Sequence, residues 1–333
     1  SIYTGTGANL SITNTVNNVS FQPDLVWIKS RSNALDHKLT DSVRGTTKAL
    51  ISNTTGAETT DTTGLTAFNS NGFTIGTGTQ YNANASVTYV GWQWQAGAGT
   101  TSSNTSGSIT STVSVNKTAG FSVVTYTGTG AAATVGHGLG VAPSMIIVRN
   151  RTDGTVNWRV YHTSIGATNY LSLNLTNASA AASSVWNNTA PTSSVFSVAN
   201  DGGSNGSTNG MVGYCFAEIA GYSKFGIYTG NGSTDGPFIY CGFRPRWIMV
   251  KRTDSTGGWN ITDTSMASYN LAQPLLQANT SAAEVSQFEA DILSNGFKYR
   301  GSSTNTLYDH NVSGATYIFA AFAENPFKYS LAR

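Results

Sequence analysis

Apolar and polar positions recur along this chain in one fixed order. Phe21 to Lys29, Val141 to Arg149 and Phe243 to Lys251 each run apolar residue, any residue, proline, any residue, four apolar residues, base. The base follows the proline by six positions every time. Proline has a fixed φ and no N–H, so it suits a strand entrance rather than a strand centre. The short β-branched and aromatic run after it predicts a strand buried on both faces. The closing Lys29, Arg149 or Lys251 is expected to return the chain to solvent.

Other landmarks recur around these strands. Tyr-Thr-Gly-x-Gly stands at Tyr3 to Gly7, Tyr126 to Gly130 and Tyr228 to Gly232. A short polar segment (Asp41-Ser42, His162 to Ser164, Asp263 to Ser265) begins 18, 19 and 18 residues past the prolines. A phenylalanine strand follows at Phe73, Phe196 and Phe297. Each copy closes on an aromatic strand, at Thr88 to Trp94, Met211 to Phe216 and Thr316 to Phe322. Solenoid repeats run about 20–50 residues. The period here is twice that or more, long enough for each copy to bury its own core.

The expected architecture is therefore all-β: three tandem antiparallel β-sandwich modules, jelly-roll-like, with very little helix. They fall at residues 1–96, 120–221 and 222–333. Residues 97–119, rich in Gly, Ser and Thr, read as a linker and an adjustable joint. Within it Ser108 to Val115 alternates as an edge strand would. The few residues around Ala220 to Lys224 predict a rigid contact between the second and third modules. One short helix is expected at Ser281 to Phe288, behind a Ser-x-x-Glu capping box, with a shorter analogue near Ala57-Glu58.

Composition narrows the function classes. The chain has 18 basic and 16 acidic residues, and no charged footprint for nucleic acid or an anionic membrane is visible. No apolar run approaches the ~20 residues that span a bilayer as a helix. Charged residues make up 10% of the chain, against roughly 25% in an average domain. Thr, Ser, Asn and Gly replace them, as in many all-β extracellular or virion proteins. Cys215 and Cys241 are too few for a disulfide scaffold and are predicted to be buried free thiols.

Catalytic chemistry finds few candidates. Asp36-His37 and Asp309-His310 set a carboxylate beside an imidazole, but sequence neighbours point apart on a strand, so both read as exposed loops. His37, His137, His162 and His310 lack zinc or 2-His-carboxylate spacing. Asp36 with Asp41, or Asp201 with Asn200 and Asn205, makes a poor calcium loop. No metal and no cofactor is expected. Trp92 and Trp94 share one strand face and read as core, with Tyr89 and Gly91 on the other. Trp186, between Val185 and Asn187, and Trp259, after Gly257-Gly258, are expected to be exposed and able to stack on a sugar. Arg244 and Arg246 have no counterpart in the other two copies and predict a partner contact of the last module.

With the repeat laid out, the chain resembles tail-fibre or tail-associated virion proteins of marine bacteriophages, of the cyanophage type. Phe21 to Lys29, Asp41 to Gly45, Leu293 to Phe297 and Phe322 to Tyr329 carry the resemblance. It spans all three modules and is closest in the third; the second departs at Val141 and His162. It implies a non-enzymatic structural protein of the virion, an extracellular particle, with other virion proteins and a host-surface glycan as partners. Such fibres are commonly homotrimers. The alternative is a lectin-like carbohydrate-binding module. A polysaccharide depolymerase would need paired acids roughly 5–9.5 Å apart. Glu284, Glu289 and Asp291 are its candidates, and they read better as a solvated helix face.

Overall fold

The proline-led segments form strands at Leu25–Ser30, Met145–Asn150 and Pro245–Arg252. These belong to a computed structural model that describes residues 1–15, 20–267, 269–301 and 310–325. It is all-β with little helix. Both faces of the first two strands are fully buried, as an unbroken apolar run requires. The three bases do not reach solvent. Lys29, Arg149 and Lys251 are 0%, 0% and 1% exposed, because each strand is covered on its second face too.

One sheet order is repeated three times. An opening strand pairs with the closing strand, the closing strand with the proline-led strand, and that with the strand after it. In the first repeat these are Ile2–Thr4, Thr88–Trp94, Leu25–Ser30 and Lys38–Asp41. In the second they are Phe121–Thr127, Gly210–Phe216, Met145–Asn150 and Arg159–His162. In the third they are Ser223–Thr229, Thr316–Ala323, Pro245–Arg252 and Trp259–Asp263. All of these pairings are antiparallel. A further sheet holds the phenylalanine strand of each copy, Gly72–Ile75, Val195–Val198 or Gly296–Tyr299. In the third repeat Ala272–Gln277 pairs with both Trp259–Asp263 and Val285–Leu293, so eight strands join in one nearly closed sheet.

Each repeat has its own apolar cluster, around Phe73, Phe196 and Phe297. A fourth cluster is common to all three and takes the other face of each main sheet. Trp94, Phe216 and Phe322, the matching residues of the closing strands, form a triangle at its centre. Their ring centroids lie 6.0, 5.9 and 5.9 Å apart, all edge to face. Aromatic pairs of this geometry add about 0.5–1.5 kcal/mol each beyond the area they bury. Trp92 lies in the shared core and Tyr89 in the first repeat's own, as strand alternation predicts. Gly91 sits where a Cβ would come within 2.9 Å of the Phe73 ring.

Two expected elements differ. Residues 281–284 are not helical, and Val285–Leu293 is a strand with Phe288, Ala290 and Ile292 buried in alternation. That period of two outweighs the capping box. Ala57-Glu58 likewise leads into the short strand Thr59–Thr60. The helices among the described residues are single turns, Thr79–Asn82, Ser183–Trp186 and Gly202–Asn205.

The linker stretch contains strands Ser102–Asn104 and Ser111–Asn116, which extend the second repeat's sheet. Its start is pinned by buried Asp24, whose carboxylate accepts the Ala96, Ala98 and Gly99 N–H groups at 2.7, 2.8 and 2.8 Å. These bonds anchor the start of the stretch to the first repeat. Cys215 and Cys241 are buried free thiols.

Candidate functional site

The three repeats close on one another through matched contacts. A ring nitrogen stands eight or nine residues past each closing base, on His37, Trp158 and Trp259. Trp158 donates Nε1–H to the Ile51 carbonyl at 3.0 Å, joining the second repeat to the first. Trp259 donates to the Ser172 carbonyl at 2.9 Å, joining the third to the second. His37 lies 2.9 Å from the Gln277 carbonyl through Nε2 and joins the first to the third. Its Nδ1 accepts the Trp27 indole N–H at 2.9 Å, which leaves the proton on Nε2 to donate. Burial holds this imidazole well below its ordinary pKa, so it is neutral.

Backbone bonds follow the same cycle: Glu58 N–H to Arg151 O, Ser179 N–H to Thr253 O and Glu284 N–H to Arg31 O, at 2.8, 2.9 and 2.7 Å. Two of these junctions add ion pairs, Arg151 with Glu58 and Arg31 with Glu284. Two of the three buried bases belong to the same system, while Lys29 bonds the Ser30 and Asn33 carbonyls of its own repeat. Arg149 bonds the Thr55 and Gly56 carbonyls of the first repeat, and Lys251 the Thr176 carbonyl of the second.

A second matched device holds each opening strand and was missed in the sequence. Asn82, Asn205 and Asn311 are buried, and their side-chain carbonyls accept the N–H of Thr6, Thr129 and Asn231 inside the Tyr-Thr-Gly-x-Gly turns. The tyrosines Tyr3, Tyr126 and Tyr228 bond the carbonyl just before each asparagine. The repeated turn was the available signal, since a turn repeated so faithfully needs a repeated partner.

Several predicted positions prove structural. Trp186 and Trp259 are 2% and 1% exposed, so neither offers a face to a sugar. Trp186 packs edge-on to Tyr161, and Trp259 is covered by the neighbouring repeat. All four histidines are buried, and the reading of His37 and His310 as exposed loop residues is corrected. Asp309 lies outside the described residues, as do Phe327 to Tyr329. Burial pushes His162 down to about 4 and His310 to about 3. Asp41 is bonded to Arg44 and Tyr214, and Asp201 caps the turn at Gly203 and Ser204 and pairs with Arg159. Among the described residues no three His, Cys, Asp or Glu side chains gather as a metal site. Glu284 and Asp291 are paired with Arg31 and Arg300 on a loop and a strand rather than a helix face.

The surface candidates separate. Arg244 is exposed, bonding Glu324 at 2.7 Å and the Ile292 carbonyl at 2.8 Å. Arg246 lines a cleft of about 400 Å³ between the first and third repeats, with Gln93, Trp92, Trp247 and Asp263. Its Nε lies 3.6 Å from Asp263, which also accepts the Trp92 indole N–H at 3.2 Å. The cavity inside the shared core measures about 10 Å³ and is wholly apolar, too small and too dry for a ligand. The exposed aromatic side chains among the described residues are instead Tyr269, at 86%, and the pair Phe238 and Tyr240, at 45% and 58%, on a strand whose Ile239 points inward. Their alternation with Ile239 and Cys241 was the signal that could have found them.

An all-β protein of three interlocked repeats, with His37, His162 and several charged groups committed to the interlock, is what this geometry defines. The chain belongs to the family described as Domain of unknown function (DUF7483), whose profile matches residues 1–326. No curated protein and no solved structure matches it.

Proposed function

We propose that this chain is a non-enzymatic structural protein of a bacteriophage particle, part of a tail fibre or similar appendage, that spaces subunits and contacts the host surface. The observation that carries the reading is the closed cycle of His37, Trp158 and Trp259, which ties the three repeats to one another and gives the His37 imidazole a structural contact. In this reading each repeat is a sandwich of jelly-roll type. The internal three-fold arrangement favours one chain seated on a fibre axis over a homotrimer. Mass spectrometry of purified particles tests the proposal: the protein is expected among the virion components, and its absence would overturn the reading.

Attachment to a glycan is favoured by Phe238 and Tyr240, exposed side by side on one strand face with Lys298 across from Phe238. Saturable binding on a glycan array, lost in Tyr240→Ala, is the expected outcome. Binding that survives both Phe238→Ala and Tyr240→Ala would place the contact elsewhere.

A further inference from the structure

The nearly closed sheet of the third repeat has its gap between the two end strands, Ser223–Thr229 and Phe238–Tyr240. The matching strands of the second repeat are Phe121–Thr127 and Ala133–Gly136, and the chain itself spans the space between them. Ile109 bridges to Val135 and donates its N–H to the Thr134 carbonyl at 3.0 Å. The Ser111 hydroxyl donates to the Gly136 carbonyl at 2.7 Å, and Thr112 pairs with Thr125. Ile109 and Val113, 8% and 3% exposed, belong to the second repeat's own core.

The third repeat presents the same groups. Ile239 faces Phe297 as Val135 faces Phe196, so Phe238 and Tyr240 stand in the places of Thr134 and Gly136. Bonds to the neighbouring strand fall at Pro237 and Cys241, and such bonds alternate along an antiparallel pair. The backbone groups of Phe238 and Tyr240 therefore aim into the gap. Across it Ile227 stands in the place of Thr125, one residue before the repeated tyrosine. On that edge the N–H groups of Ser223 and Phe225 already bond the Ile219 carbonyl and the Glu218 carboxylate, at 2.9 and 3.3 Å. Among the described residues no strand pairs with Ile227, Phe238 or Tyr240 on the gap side.

Exposure follows the same contrast. Ile227 is 50% exposed. Tyr126 is 5% exposed in the repeat whose gap is filled, while its counterpart Tyr228 is half-buried. Edge strands are ordinarily guarded by a lysine, a proline or a bulge. Lys224 sits on the half of the edge that Glu218 caps; Phe225 to Thr229 contains neither lysine nor proline, and its register is regular.

We propose that this gap is a strand-acceptor site for an extended segment of another polypeptide, apolar at two positions four apart with small hydroxyl-bearing residues between. The segment lies antiparallel to Ser223–Thr229, exchanges hydrogen bonds with Ile227 and donates an N–H to the Phe238 carbonyl, a main-chain addition to a sheet edge. Its two apolar side chains cover Tyr228 and Ile239. The chemistry is read from residues 108–113, which hold the matching place in the second repeat. An extended segment reaches both sides of the gap, as those residues do, whereas the edge of a folded second copy lies along Ile227 alone. The inference uses backbone groups of Phe238 and Tyr240 and depends on neither the virion nor the glycan reading.

The test adds the capped peptide Ser-Ile-Thr-Ser-Thr-Val, the sequence of residues 108–113, to the intact chain and reads amide exchange at Ile227. The control Ser-Ile-Thr-Ser-Val-Thr has the same composition and puts its apolar residues on opposite faces of a strand. For so short a segment a dissociation constant of about 1 mM is a fair expectation. At about 5 mM the first peptide should then slow exchange at Ile227 about sixfold, and the control should leave it unchanged. Ile227→Lys, a change at an exposed position, is expected to abolish line broadening of the peptide methyl resonances and to leave the unfolding midpoint where it was. Unchanged exchange at Ile227, or equal slowing by both peptides, overturns the proposal. Protection of Ile227 without peptide overturns it as well: growing with protein concentration, it assigns the edge to a second copy, and otherwise to the chain itself.

Discussion

Arg31 and Glu284 stand 253 positions apart in sequence and meet at 2.6 Å, joining the first repeat to the third. With side chains 19% and 20% exposed, the pair lies between a surface and a buried ion pair, for which about 1 kcal/mol is a fair expectation. A double-mutant cycle with Arg31→Ala and Glu284→Ala, read by urea unfolding, is expected to give a coupling of that size. No coupling would mean that this contact does not help close the ring.

Buried Arg44 ties the first repeat to the second. It bonds Asp41, lies 2.9 Å from Glu58, and reaches the Tyr214 hydroxyl at 3.2 Å. Removing one partner of a buried charge typically costs about 3–5 kcal/mol, because the other is left unpaired. Asp41→Ala should therefore lower the unfolding free energy by about 3 kcal/mol or more, measured in denaturant. A loss under about 1 kcal/mol would contradict the burial assigned to this network.

Two of the repeated bases should titrate near neutrality. Burial pushes Lys251 down to about 7 and Lys29 to about 8. Between those values and an ordinary lysine pKa of about 10.4, the unfolded chain binds protons that the native chain does not. Stability should thus rise with pH from about 7 to about 10, by several kcal/mol for the two lysines together. Lys251→Met should flatten part of that rise. Wild-type stability that is level or falling over this window would rule the account out.

The histidines act in the same direction at lower pH. His162 places Nε2 3.2 Å from the Phe319 carbonyl of the third repeat while Nδ1 accepts the Ser164 N–H. Its folded pKa of about 4 lies below an ordinary histidine near 6.5. The unfolded state gains the proton first, so stability falls as pH drops from about 6.5 toward 4. His162→Gln should remove about 2 kcal/mol of that loss, read from denaturant curves at both ends of the window. An unchanged acid slope would show that His162 does not set it.

What was legible in the sequence was local. The proline-led runs, the closing aromatics and the facing of Trp92 and Trp94 follow from strand periodicity alone. The contacts between repeats were not legible, because a base after four apolar residues looks the same whether it meets water or a carbonyl of the preceding repeat. Lys251 beside Thr176 is such a case. Trp259 after two glycines reads as a loop tip until the carbonyl of Ser172 is seen above it. Glu284 resembled a helix cap because its true partner, Arg31, lies at the far end of the chain. The exposed pair Phe238 and Tyr240 was open to the same alternation rule that placed Trp92 and Trp94 correctly.

Native-state hydrogen exchange on Phe322→Ala tests the shared core most directly. Truncating a core phenylalanine costs about 3–5 kcal/mol. If Phe322 belongs to one core with Trp94 and Phe216, amides of Leu25–Ser30 and Met145–Asn150 lose protection by the same amount as those of Pro245–Arg252. Loss confined to the third repeat would show three domains that merely touch.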